Sequence, residues 1–307
     1  MPFVVLRDGA RLHVRVIGRG QPVLMLPGLG MSSAHWLPFL LPHLSRFRFY
    51  LPDLRGFGRS AGLRLCEDDV FESHMRDVEE VIAHFSLNDF LLAGYSLGGS
   101  TALHLLRAGK FQGVKRYLHI DQSPSVGNRE DWSHGLFGEQ QEILFGKMRE
   151  LVNVLVQYPQ VSHLDRLPRP AKREAAAVMA TIFSRMGGKP ALEPWLRRFL
   201  LLPGFASRLL PLTRLEDARR YLAAYSSGGH DYRESLRACA VPVTVFVGMR
   251  SPLYHPRGQM AIADYAPDAR VVRFEKSGHV PLSDEPVKFA RELGSFLRAD
   301  IRKKHRG

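Results

Sequence analysis

Short apolar runs recur along the chain, and most are separated by stretches whose apolar residues fall at helical spacing. Runs near 3–7, 11–17, 22–26, 47–51, 90–94, 116–120, 242–248 and 270–274 read as strands. The first two are close enough for an antiparallel hairpin about Asp8-Gly9, whereas the later ones are spaced for parallel pairing through helical crossovers. Helices are predicted over 36–44, 70–85, 101–108 and 287–297, each with one apolar face to pack on a sheet. Between 127 and 237 the alternation stops, and the segment reads as helices interrupted by prolines and glycines. The pattern therefore predicts an α/β fold: a mostly parallel central sheet flanked by helices, built from 1–126 and 238–307, with a helical insertion at 127–237.

The strand near 90–94 ends in Gly94-Tyr95-Ser96-Leu97-Gly98-Gly99, a serine in a G-x-S-x-G frame, and a helical segment follows. A strand turning sharply into a helix strains the residue at the turn, and small neighbours relieve the crowding. Ser96 is thereby presented at the strand end, next to the exposed N–H groups of a helix N-terminus. A serine hydroxyl is a weak nucleophile and needs a base. His279, in Ser277-Gly278-His279-Val280-Pro281, lies on the loop between the last strand and the terminal helix. It is the candidate base.

Two further segments complete a pattern: Val23-Leu24-Met25-Leu26-Pro27-Gly28-Leu29-Gly30 and Pro52-Asp53-Leu54-Arg55-Gly56-Phe57-Gly58-Arg59-Ser60. In this order the four segments resemble the α/β-hydrolase superfamily over nearly the whole chain, in the manner of its capped serine esterases and thioesterases. The resemblance implies an oxyanion hole formed by the N–H groups of Leu29 and Leu97, and a cap at 127–237 over an apolar acyl pocket. Trp132, Phe137, Phe145, Phe183, Trp195, Phe199, Phe205 and Tyr225 are its large aromatic candidates for that roof, packing between the cap's own helices being the alternative and, for any single one, the favoured role. The chain departs from the family pattern twice. Pro27 stands where a His-Gly pair is common, at a position that supplies no donor to the hole. More consequentially, Gly248-Met249-Arg250-Ser251 carries a serine where the family usually has the triad aspartate. Serine cannot supply the negative charge that stabilises an imidazolium. Some members place the acid after the preceding strand, which here ends in Asp121; the resemblance implies Asp121 as the acid, with capping of the next segment as its alternative role.

Composition narrows the picture. The 307 residues carry 43 Lys and Arg against 30 Asp and Glu, a formal net charge of +13. Over 161–220 there are twelve basic residues (Arg166, Arg169, Lys172, Arg173, Arg185, Lys189, Arg197, Arg198, Arg208, Arg214, Arg219 and Arg220) and five acidic ones. A basic cap would steer an acidic partner: an acyl carrier protein bearing the substrate, an anionic lipid surface or a carboxylated small molecule, the alternative being a solvated surface. No binding motif points to nucleic acid, and the tail Arg302-Lys303-Lys304-His305-Arg306 reads as a solvated end. Two cysteines, Cys66 and Cys239, suggest neither a disulfide framework nor a zinc site. No leader-like or membrane-spanning stretch is evident, so a cytoplasmic protein without integral membrane association is expected. The activity expected is hydrolysis of a carboxylic ester or thioester with an apolar acyl group, through an acyl-enzyme on Ser96 and with no cofactor or metal. The rivals are a cofactor-free oxygenase or perhydrolase on the same scaffold, or a slow-turnover ligand-binding regulator.

Overall fold

The computed structural model describes residues 3–205 and 214–299, which leaves Arg208 and the basic tail outside the described residues. Eight strands form one sheet: β1 (Phe3–Val5), β2 (Arg11–Gly18), β3 (Gln21–Leu26), β4 (Phe47–Pro52), β5 (Phe90–Tyr95), β6 (Val114–Ile120), β7 (Val243–Gly248) and β8 (Ala269–Phe274). Their spatial order is β1-β2-β4-β3-β5-β6-β7-β8. The β1/β2 and β2/β4 pairs are antiparallel, and every other pair is parallel. The longer helices are α1 (Val70–His84), α2 (Leu97–Arg107), α3 (Gln141–Val156), α4 (Arg169–Met186), α5 (Glu193–Leu200), α6 (Leu215–Ser226) and α7 (Pro286–Arg298).

Side chains alternate across a strand, so a strand covered on both faces feeds two cores at once. Leu24, Leu26, Leu92, Val243 and Val245 enter the cluster beneath α1 and α2. Their neighbours Val23, Met25, Leu91, Ala93 and Phe246 enter the opposite one, which is closed by Trp36 and by Phe289 and Phe296 of α7. Residues 33–43 form a four-residue helix, Leu37–Leu40, between two 3₁₀ turns rather than one helix. Pro38 and Pro42 lack the N–H groups that a continuous helix there would use. α2 starts at Leu97, several residues before the helix read from the sequence, because Gly98 and Gly99 are weak helix formers that tertiary packing retains. A Cβ at Gly98 would lie 2.3 Å from the Leu26 carbonyl oxygen, so only glycine lets α2 pack this closely on β3.

The insertion between β6 and β7 forms its own cluster from α3, α4 and α6, including Phe145, Met148, Leu151, Met179 and Ile182. Tyr221 and Tyr225 of α6 pack edge-on to Phe57 and Phe71, at centroid distances of 6.1 and 5.1 Å. At its C-terminal end the segment rejoins the core, with Tyr232 and Leu236 buried in the sheet cluster.

Candidate active site

Parallel register aligns the carboxyl ends of the central strands. Leu26 pairs with Gly94, Tyr95 with Ile120, Ile120 with Phe246, and Gly248 with Phe274. The residues that follow these strands therefore meet at one edge of the sheet, where ligands bind in open α/β sheets. Gly28 and Leu29 follow β3, Ser96 follows β5, Asp121 follows β6, Ser251 follows β7, and His279 follows β8.

Ser96 adopts φ 51° and ψ −114°, a conformation rarely occupied by residues other than glycine. Two bonds hold it there: its N–H donates to the Ile120 carbonyl at 3.0 Å, and its own carbonyl accepts the Ser100 N–H at 2.9 Å. A Cβ at Gly94 would approach the Gly98 carbonyl oxygen to 2.5 Å, so the turn tolerates only glycine beside the serine. The Ser96 hydroxyl lies 2.9 Å from His279 Nε2. On the other side of the ring, His279 Nδ1 lies 2.5 Å from Asp121 Oδ2.

Asp121 is fully buried and has a left-handed backbone, with φ 47°. Its carboxylate also accepts the Gly248 N–H on Oδ1 at 3.0 Å and the Ser251 hydroxyl on Oδ2 at 2.9 Å. Burial pushes the carboxyl pKa above the usual aspartate value, opposed by His279 and by the Ser251 and Gly248 donors. The serine at the family's usual acid position thus points at Asp121 and serves as its hydrogen-bond donor. A side chain on Gly248 would collide with both Asp121 Oδ1 and the Gly278 carbonyl, at 2.4 and 2.0 Å.

Sequence reasoning overlooked the supports of His279. The Tyr95 hydroxyl donates to the His279 carbonyl at 2.9 Å, and burial keeps that phenol neutral by pushing its pKa up. Asp284 accepts the Gly278 N–H at 2.8 Å and the Ser277 hydroxyl at 3.2 Å. Tyr95 sits inside the G-x-S-x-G frame, but its partner is 184 residues away, so no local pattern could have shown it. Leu97 is the first residue of α2, and its N–H has no acceptor within the helix. Leu29 lies in a turn closed by the Met31 N–H on the Gly28 carbonyl at 3.1 Å, and it lines the same cavity as Ser96.

That cavity measures about 680 Å³ and runs between sheet edge and insertion. Ser96, His279, Leu29 and Met31 bound it from the core, and Phe137, Met148, Met179, Ile182, Phe183 and Tyr225 from the insertion. Of the other roof candidates, Phe145 and Trp132 are buried elsewhere, in packing roles, while Trp195 and Phe199 are exposed and Phe205 stacks on Phe199. The wall is mostly aliphatic and aromatic, with the serine and histidine as its reactive groups. Among the described residues no cluster of His, Cys, Asp or Glu is placed to hold a metal ion, and no helix is long and apolar enough to cross a membrane.

Comparison with known proteins agrees with this architecture. The family profile of the alpha/beta hydrolase fold matches residues 21–286. A pimeloyl-acyl-carrier-protein methyl ester esterase from Vibrio cholerae is 23% identical over 291 residues, covering 93% of this chain and 97% of the relative. The protein of the same name from Nitrosomonas europaea is 26% identical over 285 residues, covering 91% and 97%. Among solved structures, an esterase from Exiguobacterium antarcticum superposes with a TM-score of 0.69 at 21% identity, covering 97% of this chain and 99% of that one.

Proposed function

The chain belongs to the α/β-hydrolase family, and from that premise we propose that it hydrolyses carboxylic esters with an extended apolar acyl group, using Ser96 as nucleophile. One observation carries the reading: an unbroken relay from Ser96 Oγ through His279 to a buried carboxylate, opening into an apolar cavity. His279 Nε2 takes the hydroxyl proton as Ser96 Oγ attacks the carbonyl carbon. Charge develops on the carbonyl oxygen and is met by the N–H groups of Leu29 and Leu97. His279 then returns the proton to the leaving oxygen, and the acyl-enzyme forms. A water deprotonated by His279 releases the acid and restores the serine. Asp121 fixes the imidazole tautomer, presents Nε2 to the serine, and stabilises the imidazolium in both halves of the reaction.

A fluorophosphonate probe tests the nucleophile. Rapid labelling of the wild-type chain, absent in Ser96→Ala and slowed at least a hundredfold in His279→Ala, is expected from a general base acting on serine. Labelling that persists in Ser96→Ala, or none in the folded wild-type protein, contradicts the mechanism.

The finer reading is that the acyl group arrives on an acyl carrier protein. It is supported by the names of relatives that match over more than 90% of this chain. The measurement is kcat/KM for a carrier-bound methyl ester against the free methyl ester, at low and high salt. Equal values for the two substrates exclude a carrier-specific role.

A further inference from the structure

The basic surplus of the insertion is not spread evenly over its surface. Lys172 pairs with Asp165, Arg214 with Asp217, and Arg219 and Arg220 share Glu216. Arg166, Arg169, Arg173, Lys189, Arg197 and Arg198 have no acidic partner among the described residues, and all six are exposed. They lie on α4, on α5 and on the turns that lead into them. Unpaired basic side chains are therefore gathered on these two helices and their flanking turns, with Glu174 an exposed carboxylate among them.

α5 and its flanking turns also carry an exposed apolar stripe. Leu192, Trp195, Phe199 and Leu202 are 44, 59, 39 and 46% exposed. They fall at i, i+3, i+7 and i+10, so they line one face of α5 and its two flanking turns. The face that α5 turns inward is filled by Leu196 and Leu200. This helix is therefore apolar over more of its circumference than its packing uses. Arg197 and Arg198 sit within this stretch, and no acidic residue lies between Trp195 and Phe205.

We infer that the outer face of α5 is a docking surface for an anionic phospholipid bilayer. Trp, Phe and Leu beside arginines are the composition of a helix lying in a membrane interface, where rings enter the acyl boundary and cations meet phosphates. The stripe is one convex helix face of four side chains. A specific protein interface needs about 800 Å² from each partner, more than such a face offers. A second copy docking by two-fold symmetry would bring like charges together. The position is also productive. Asp165, on the cavity wall, accepts the Gly204 N–H at 2.9 Å just beyond α5, so the docked face adjoins the cavity rim.

This inference does not depend on the ester chemistry, and binding tests it directly. The full chain is incubated with vesicles of phosphatidylcholine alone, or of phosphatidylcholine with phosphatidylglycerol, and then sedimented. Binding to the anionic vesicles only, lost in high salt, is expected. Trp36 and Trp132 are buried while Trp195 is exposed, so a blue shift of tryptophan emission on binding reports Trp195. Trp195→Ala/Phe199→Ala and Arg197→Glu/Arg198→Glu each lower partitioning at least tenfold, while turnover of a short soluble ester stays unchanged and shows that the fold is intact. Several outcomes overturn the inference: no sedimentation with anionic vesicles, binding indifferent to both double variants, or Trp195 already shielded from quencher in the free protein. So does a dimer abolished by Trp195→Ala/Phe199→Ala, or an acidic carrier protein that binds this face while vesicles do not.

Discussion

At Asp121 a carboxylate has taken up the position opposite His279 from the end of β6, and the side chain left at the usual place has become its donor. Ser251 Oγ lies 2.9 Å from the same Oδ2 that meets His279 Nδ1. Asp121→Asn, which keeps the shape and removes the charge, is expected to lower kcat by about four orders of magnitude. Ser251→Ala removes one donor to a buried charge, a loss of roughly 1.5 kcal/mol, or about tenfold in kcat, with KM little changed. Its pH profile separates this from a packing effect. If Asp121 acts as the carboxylate, its burial-raised pKa predicts that activity falls as pH drops through that raised value. Without the Ser251 donor the pKa rises further, and the acidic limb of kcat/KM moves to higher pH. The double variant Asp121→Asn/Ser251→Asp puts a carboxylate back within reach of the ring and regains at least tenfold over Asp121→Asn. Failure of that recovery, with the fold intact, would show that β7 cannot present an acid to His279. Ser96 and the glycines around it are legible in sequence because local backbone geometry demands them, and His279 because a Ser-Gly-His segment follows the last strand. The donor role of Ser251 is not, because it exists only once β6 and β7 are neighbours.

Between elements, what matters is how the insertion is fastened to the core, since the cavity is the space between them. α1 is the core helix that meets it. The Tyr221 hydroxyl of α6 hydrogen-bonds to His74 Nε2, and burial holds His74 uncharged by pushing its pKa down to about 3. At the start of α1, Asp69 caps the helix by accepting the Phe71 and Glu72 N–H groups at 2.8 and 3.3 Å, and it also pairs with His230 Nε2 at 3.1 Å. One side chain thus fixes a helix end and the return of the insertion to the core. Asp69→Ala is expected to destabilise the protein by about 1 kcal/mol through the lost cap alone. The ion pair with His230 adds to this, reduced by the solvent that reaches the 40%-exposed Asp69 side chain. The sign of the pH dependence follows from a carboxyl whose pKa is lowered to about 2 by its partners. The contribution is complete above the unfolded value near 4, and it disappears as pH falls toward 2. Denaturant unfolding of wild type and variant should therefore differ at pH 7 and converge near pH 2; a constant difference across that range contradicts the assignment. Strands and helix faces were readable from periodicity, but this joint was not, because Asp69 and His230 are separated by 161 positions and neither lies in a motif.

For the molecule as a whole, the sheet determines where chemistry occurs and the insertion determines what reaches it. The first is written in strand order and in motifs at strand ends, which is why the sequence places Ser96 and His279 on one edge. The second depends on distant contacts: Leu136, Met179 and Tyr225 come to line one cavity with Met31 and Val280 only after α3, α4 and α6 have packed. Of the eight aromatic candidates for the roof, Phe137, Phe183 and Tyr225 line it, while Trp195 and Phe199 face outward. Helical periodicity alone could not separate the two groups, because α5 is apolar on both its inner and outer sides. A cavity of about 680 Å³ walled largely by aliphatic and aromatic side chains would hold an acyl chain by burial, which contributes about 0.8 kcal/mol for each methylene removed from water. If the chain lies there during acylation, kcat/KM on p-nitrophenyl esters rises roughly fourfold per methylene from acetate upward. The rise ends in a plateau once the cavity is filled. Met179→Trp, which extends a ring into the space from α4, should bring that plateau forward to shorter chains and leave acetate turnover unchanged. A series that is flat from acetate onward would mean that the acyl group lies outside the insertion's wall, with the alcohol or another part of the substrate occupying the cavity instead.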